Sequence, residues 1–138
     1  MTLQQMRYFI AVAQNLSFSK AAQQHYVSQT AVSQQIKLLE EELETELFQR
    51  TRHSVALTSA GQVFYEYAVR ITDLAEDAAR RTRAAAAELR GKIAARLGEM
   101  LAEDPDNKHL QRQLTRVYLA QISTVHASVS YTHLTLPT

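Results

Sequence analysis

Residues 17–43, SFSKAAQQHYVSQTAVSQQIKLLEEEL, decide the fold. Within them Val32, Ile36, Leu39 and Leu43 recur at steps of three and four, the spacing that gathers apolar side chains on one stripe of a helix. The other face of that helix carries Gln29, Thr30, Ser33, Gln34 and Lys37, so one side can pack while the other is free to bind. Ahead of it, Phe18 with Ala21 and Ala22 supplies one large anchor and two small residues that let a short helix cross closely. The two helices meet at His25, Tyr26 and Val27, a turn without glycine, although such turns often use a left-handed residue. Ser28 stands where a hydroxyl accepts from the first free amides of the second helix.

The polar face has the chemistry to read bases. A glutamine offers one donor and one acceptor, matching adenine N6 and N7, and serine or threonine can meet several base edges or a thymine methyl. Gln29, Thr30, Ser33 and Gln34 are therefore the candidate base-contacting residues, with Ser28 and Lys37 suited to the phosphate backbone. Glutamine and serine are also common on solvated surfaces, so this face alone leaves DNA reading and an ordinary polar surface both open.

Toward the N-terminus, Leu3, Met6, Phe9, Ile10, Ala13 and Leu16 keep a helical rhythm behind a Thr2 N-cap, with Arg7 and a half-buried Tyr8 off the stripe. Toward the C-terminus, residues 40–46 hold five glutamates in seven positions, a solvated face that must point away from any phosphate backbone. LFQRTRHSVALTSAG follows, with Leu47 and Phe48 leading out, Val55 and Leu57 alternating back, and Arg50, Arg52 and His53 crowding the connection. A basic hairpin tip beside such a helix reads as a wing, although Arg52-His53-Ser54 lacks the Asn-Gly or Asp-Gly signal of a tight hairpin. Thr58 or Ser59, the latter with Gln62 in a capping box, then opens a long helix. Phe64, Tyr67, Ile71, Leu74, Ala78, Ala85 and Leu89 trace its stripe. A helix of about 30 residues, roughly 45 Å, needs cover for such a stripe, and a second copy of itself is the natural cover.

The ordered pattern MRYFIAVAQNLSFSKAAQQHYVSQTAVSQQIKLLEEEL, LFQRTRHSVALTSAG and long helix closely resembles the N-terminal part of LysR-type bacterial transcriptional regulators, over about Thr2 to Arg90. The resemblance implies a mainly α fold: a winged helix-turn-helix with a short β-hairpin wing, dimerised through a linker helix. It implies sequence-specific binding of double-stranded promoter DNA as a homodimer, and a two-lobed domain for a small-molecule co-inducer further along. Ser28, Gln29, Thr30, Ser33, Gln34 and Lys37 match the family's recognition helix, and Arg50 and Arg52 match its basic wing. Thr30 stands where proline is frequent, Gln34 where arginine is frequent, His53 where arginine or glycine is common, and Glu44 where the family often ends the helix with glycine.

After Gly91 the pattern stops matching, and no co-inducer domain is expected in this chain. Leu97, Met100 and Leu101 form one helical stripe, Asp104-Pro105-Asp106-Asn107 a turn, and Leu110, Leu114, Val117 and Tyr118 another stripe, which predicts a helical hairpin. The final VSYTHLTLPT resembles the conceptual translation of a transposase adaptor used in sequencing libraries, which would make the reading frame truncated and the preceding hairpin chimeric. The expected organisation is a DNA-binding domain over 1–58, a linker and dimerisation helix over 59–91, an unassigned helical segment over 92–128, and an artefactual tail over 129–138.

Bulk composition narrows function by exclusion. Fifteen basic against fourteen acidic residues in 138 give no net charge that would argue for nucleic acid or membrane, so any such case rests on where charges sit. No cysteine is present, no run approaches a membrane span, and a signal-peptide layout is missing, which makes the cytoplasm the expected location. Three isolated glycines form no phosphate-cradling loop, and the five histidines lack metal-ligand spacing. No cofactor, metal or catalytic residue is expected, and an enzyme is disfavoured. Two classes remain: a DNA-binding regulator, and a helical protein-interaction module without specific DNA binding.

Overall fold

The computed structural model describes residues 1–135, with side chains through residue 123. Its elements are α1 (Leu3–Asn15), α2 (Phe18–Gln24), α3 (Gln29–Leu43), β1 (Phe48–Arg50), β2 (Val55–Leu57), α4 (Ser59–Glu103) and α5 (Lys108–Thr135). The chain divides into two compact units between Asp77 and Ala78.

In the first unit, every short helix starts on the hydroxyl its sequence offers. Thr2 accepts from the Gln5 amide while the Gln5 side chain accepts from the Thr2 amide, Ser17 accepts from Lys20, and Ser28 accepts from Ala31. The three turns that follow α1, α2 and α3 each place a non-glycine residue in the left-handed region: Leu16 at φ 48°, Tyr26 at 56° and Glu44 at 55°. Left-handed backbone costs such residues about 1–2 kcal/mol, which tertiary packing must offset. Ring packing supplies part of that offset. Phe9, fully buried, has Phe64 at 4.9 Å and Phe48 at 5.1 Å between centroids, and Val12, Val32, Ile36, Leu39 and Leu47 close around them. Each such burial contributes about 1.5–3 kcal/mol.

Three details of α1 differ from the sequence reading. Leu3, in the first turn, is exposed rather than packed. Tyr8 is buried, not half-buried, because its ring packs edge-on against His25 at 5.1 Å, and Leu16 leaves the stripe because it is the left-handed residue that ends the helix. The stripe over α3 stands: Val32, Ile36 and Leu39 are fully buried and Leu43 packs at the edge.

The wing is a two-stranded antiparallel hairpin pairing Phe48 with Leu57 and Arg50 with Val55. In place of an Asn-Gly turn, Thr51 and Ser54 close the loop: Thr51 N–H donates to Ser54 O at 2.9 Å, and Ser54 N–H donates to Thr51 Oγ1 at 3.1 Å. Thr58, rather than Ser59, caps α4, accepting from Gly61 N–H at 2.9 Å and donating its hydroxyl to Glu46 O at 2.7 Å.

Helix α4 runs on to Glu103, without a break at Gly91. Strong helix formers flank Gly91 and Gly98, so each glycine costs only about 1 kcal/mol against alanine, and the Glu88–Lys92 and Arg96–Glu99 pairs bridge them. The helix ends at Glu103, because Pro105 disfavours helical backbone at the Asp104 before it. The turn at 104–107 and the second helix match the hairpin read from sequence. Of its stripes, Leu110 is buried, Leu97, Leu101, Leu114 and Val117 are partly buried, and Met100 and Tyr118 are exposed. The reading of 129–138 as a translated adaptor lies outside the residues whose side chains are described. Among the described residues no helix is long and apolar enough to cross a membrane.

One glycine holds the wing against α4. A Cβ on Gly61 would stand 2.0 Å from Leu47 O and 3.0 Å from Leu57 Cδ2, whereas one on Gly98 would meet nothing within 4 Å. Gly61→Ala should therefore lower stability by about 1–3 kcal/mol and Gly98→Ala raise it by up to about 1 kcal/mol, read as opposite shifts of the urea midpoint. Equal shifts would contradict the close approach.

Candidate nucleic-acid interface

Helix α3 presents the polar face that its spacing requires. With Val32, Ile36 and Leu39 sealed inside, Gln29, Thr30, Gln34 and Lys37 are exposed and Ser33 partly so. Ser28 keeps its hydroxyl on the Ala31 amide, so its part in the site is to start the helix. Gln35, one step round from this face, accepts from Gln5 Nε2 at 3.2 Å and ties α3 to α1. Behind the turn, burial first and the charge of Arg7 second hold the His25 imidazole below its ordinary pKa, which favours a neutral ring against Tyr8.

Thr30, Ser33, Gln34 and Lys37 share a concave surface of about 750 Å³ with Glu40, Glu46, Phe48 and Arg50, formed where the hairpin folds back beside α3. Lys37 Nζ lies 4.0 Å from Glu41 Oε1 with both groups well exposed, a weak pair that a phosphate can replace. Arg52 and His53 are exposed in the hairpin loop, and neither lines the cleft.

Glu40 corrects the reading of the acidic run as a wholly solvated face turned away from the site. Its Oε1 accepts from Leu47 N–H at 2.8 Å and Phe48 N–H at 3.3 Å, and its Oε2 lies 3.7 Å from Arg50 Nη2. The Arg50 guanidinium in turn sits over the Phe18 ring, 4.3 Å from its centroid. One carboxylate thus joins α3 to the start of β1 and, through Arg50, to α2. Helical spacing carried this signal, since Glu40 falls three residues after Lys37 and six or seven after Ser33 and Gln34 on one face. The glutamate count obscured it. Phe18 is an apolar anchor of α2 by its spacing, and its place beneath Arg50 has no sequence signature.

Of the predicted pairing stripe, Tyr67, Ile71 and Leu74 are exposed in the first unit, and Ala78, Ala85 and Leu89 are exposed in the second. Phe64 departs from it. Its ring packs against Phe9 at the edge of the domain core, while the neighbouring Val63 is exposed.

A family model described as bacterial regulatory helix-turn-helix protein, lysR family, matches residues 3–62. The HTH-type transcriptional regulator BudR of Klebsiella aerogenes is 40% identical over 131 residues, covering 94% of this chain and 92% of BudR. The chain belongs to the LysR family. A probable RuBisCO transcriptional regulator of Cyanidioschyzon merolae is 51% identical over 79 residues, 57% of this chain but 26% of that protein. Among solved LysR structures, the CbnR_DBD-DNA complex superposes with a TM-score of 0.60 at 41% identity, covering 62% of this chain and 99% of that one. The BenM_DBD/catB site 1 DNA complex gives 0.61 at 37%, covering 62% and 97%. The chain thus spans most of BudR and about a quarter of the RuBisCO regulator. Its alignment with BudR, at 131 residues, extends past Gly91 and overturns the expectation that the likeness to LysR-type regulators stops there.

The two functions of Glu40 can be separated. Glu40→Gln keeps an oxygen acceptor for Leu47 and Phe48 but gives up the ion pair, which is worth little because the Arg50 side chain is 41% exposed. Glu40→Ala leaves two amides without their acceptor and should cost about 1–3 kcal/mol more in urea denaturation. Equal losses for the two variants would show that the backbone bonds do not hold the wing.

Proposed function

We propose that this chain is a sequence-specific, DNA-binding transcriptional regulator of promoters that lays α3 in the major groove. The observation that carries this reading is the row of exposed, hydrogen-bonding side chains on α3, from Gln29 to Lys37, set opposite a fully buried stripe and beside a cleft floored by the wing. In this reading Gln29, Thr30, Ser33 and Gln34 contact base edges, and the exposed Lys37, Arg52 and His53 contact the backbone. Arg50 takes the role of a strut as much as a contact, because Phe18 and Glu40 already hold its guanidinium. The cytoplasm, where promoter DNA lies in bacteria, is the location that belongs to it.

Two chains bind together in this proposal, paired along α4 through Tyr67, Ile71, Leu74, Ala78 and Ala85. Exposed apolar side chains at heptad-like steps and the small alanines support it, since both favour close approach of two helices. Leu74 is 69% exposed, so Leu74→Lys should leave the monomer folded by circular dichroism and shift sedimentation toward a single chain. An unchanged oligomeric state would remove α4 pairing from the proposal.

Gel-shift titration against promoter DNA at two salt concentrations tests the DNA reading. Gln29→Ala should cost about 1–3 kcal/mol of specific affinity and relax one base position. Lys37→Ala should weaken all sequences alike and reduce the slope of log K against log salt by about 1. Binding without sequence preference, or none, would favour a protein-interaction module instead.

A further inference from the structure

All fourteen acidic residues of the chain precede Lys108, in company with twelve of its fifteen basic ones. From Lys108 onward the sequence has Lys108, Arg112 and Arg116 and no carboxylate side chain. The small positive excess of the chain therefore resides on α5. Steps of four put the three cations on one face of that helix, at a rise of about 6 Å each. They line one shallow concave surface of about 660 Å³ together with Gln111 and Thr115.

The local hydrogen bonds leave the positive charge uncompensated. Gln111 Nε2 donates to Pro105 O at 2.8 Å, Thr115 Oγ1 donates to Gln111 O at 2.9 Å, and Arg112 Nε donates to Lys108 O at 3.2 Å. Each of these acceptors is a backbone carbonyl. Among the described residues no carboxylate pairs with Lys108, Arg112 or Arg116, whereas in the same unit Lys92 lies 3.2 Å from Glu88 and Arg96 lies 3.2 Å from Glu99. Three unneutralised cations on one face, set among polar side chains already turned to the backbone, form a surface for a polyanion with regularly spaced charges.

We infer that the Lys108–Arg112–Arg116 face of α5 is a second, sequence-independent contact for the phosphate backbone of DNA, separate from the base-reading face of α3. The inference rests on the DNA-binding reading above, which supplies the polyanion. Charge complementarity decides the occupant: phosphates reward point charges of one sign, and Lys108, Arg112 and Arg116 present three of them at helical steps with no carboxylate side chain after Lys108 to compete. Such a contact raises affinity for any duplex and makes it more salt-sensitive while adding nothing to discrimination.

The test uses the full chain and a random-sequence duplex of about 60 base pairs, titrated from 50 to 200 mM salt. Lys108→Gln/Arg112→Gln/Arg116→Gln should keep its helical circular dichroism and lose about 2–3 from the salt slope, at about 0.9 per phosphate contact. Lys92→Gln/Arg96→Gln, which removes two paired cations from the same unit, should leave the slope where it was. An unchanged slope in the triple variant would overturn the α5 assignment alone, with α3 binding intact. Equal losses in both variants would overturn it as well, by showing a general charge effect. Failure of the unaltered chain to bind any duplex would overturn this inference together with the DNA-binding reading. Should the triple variant keep its DNA slope but lose wild-type binding to vesicles rich in anionic lipid, the face would belong to membranes and not to DNA.

Discussion

Everything in the first unit depends on α3 having one face it cannot turn outward. Val32, Ile36 and Leu39 are fully buried against the Phe9 cluster, so rotating the helix by even one residue would expose apolar area and bury glutamine. That constraint fixes which side chains meet solvent without any of them having to contribute stability. Gln29, Thr30, Ser33, Gln34 and Lys37 are thereby presented by residues on the opposite side of their own helix. The chemistry of the exposed row and the energetics of the fold are separate properties of one segment.

The hairpin depends on a second tie. The Glu40 carboxylate accepts the Leu47 and Phe48 amides, Gly61 lets α4 come against Leu47 O, and Thr58 bonds back to Glu46 O. These contacts converge on the residues 46–48 that lead into β1. The wing is thus registered against α3 at its base, while its loop, with Arg52 and His53, stays solvent-exposed and closed only by Thr51 and Ser54.

Much of this was legible in the sequence because it is periodic or chemical at short range. The buried stripe of α3, the Thr2 and Ser28 caps, the hairpin and the turn at 104–107 all follow from spacing or from side-chain acceptors next to free amides. What escaped depended on partners distant in sequence. Phe64 fits a helical stripe as well as Ile71 does, and only the position of Phe9 decides that its ring turns inward. Glu40 is indistinguishable by composition from Glu41 and Glu42, yet it alone of the three meets the amides of β1. The boundary expected at Gly91 rested on where the family's motifs stop and not on local helix propensity, and strong helix formers on both sides carry α4 through it.

The Phe18–Arg50–Glu40 contact also bears on how such a protein can change. Because one carboxylate serves two amides and a guanidinium, and that guanidinium covers an aromatic ring, substitutions at positions 18, 40 and 50 are coupled: each alters the surroundings of the other two. Gln29, Thr30 and Gln34 make no comparable side-chain ties among the described residues and can be exchanged one at a time. Divergence to a new binding site is therefore free to proceed through single substitutions on the outer row of α3, while the scaffold that aims it is inherited as a block.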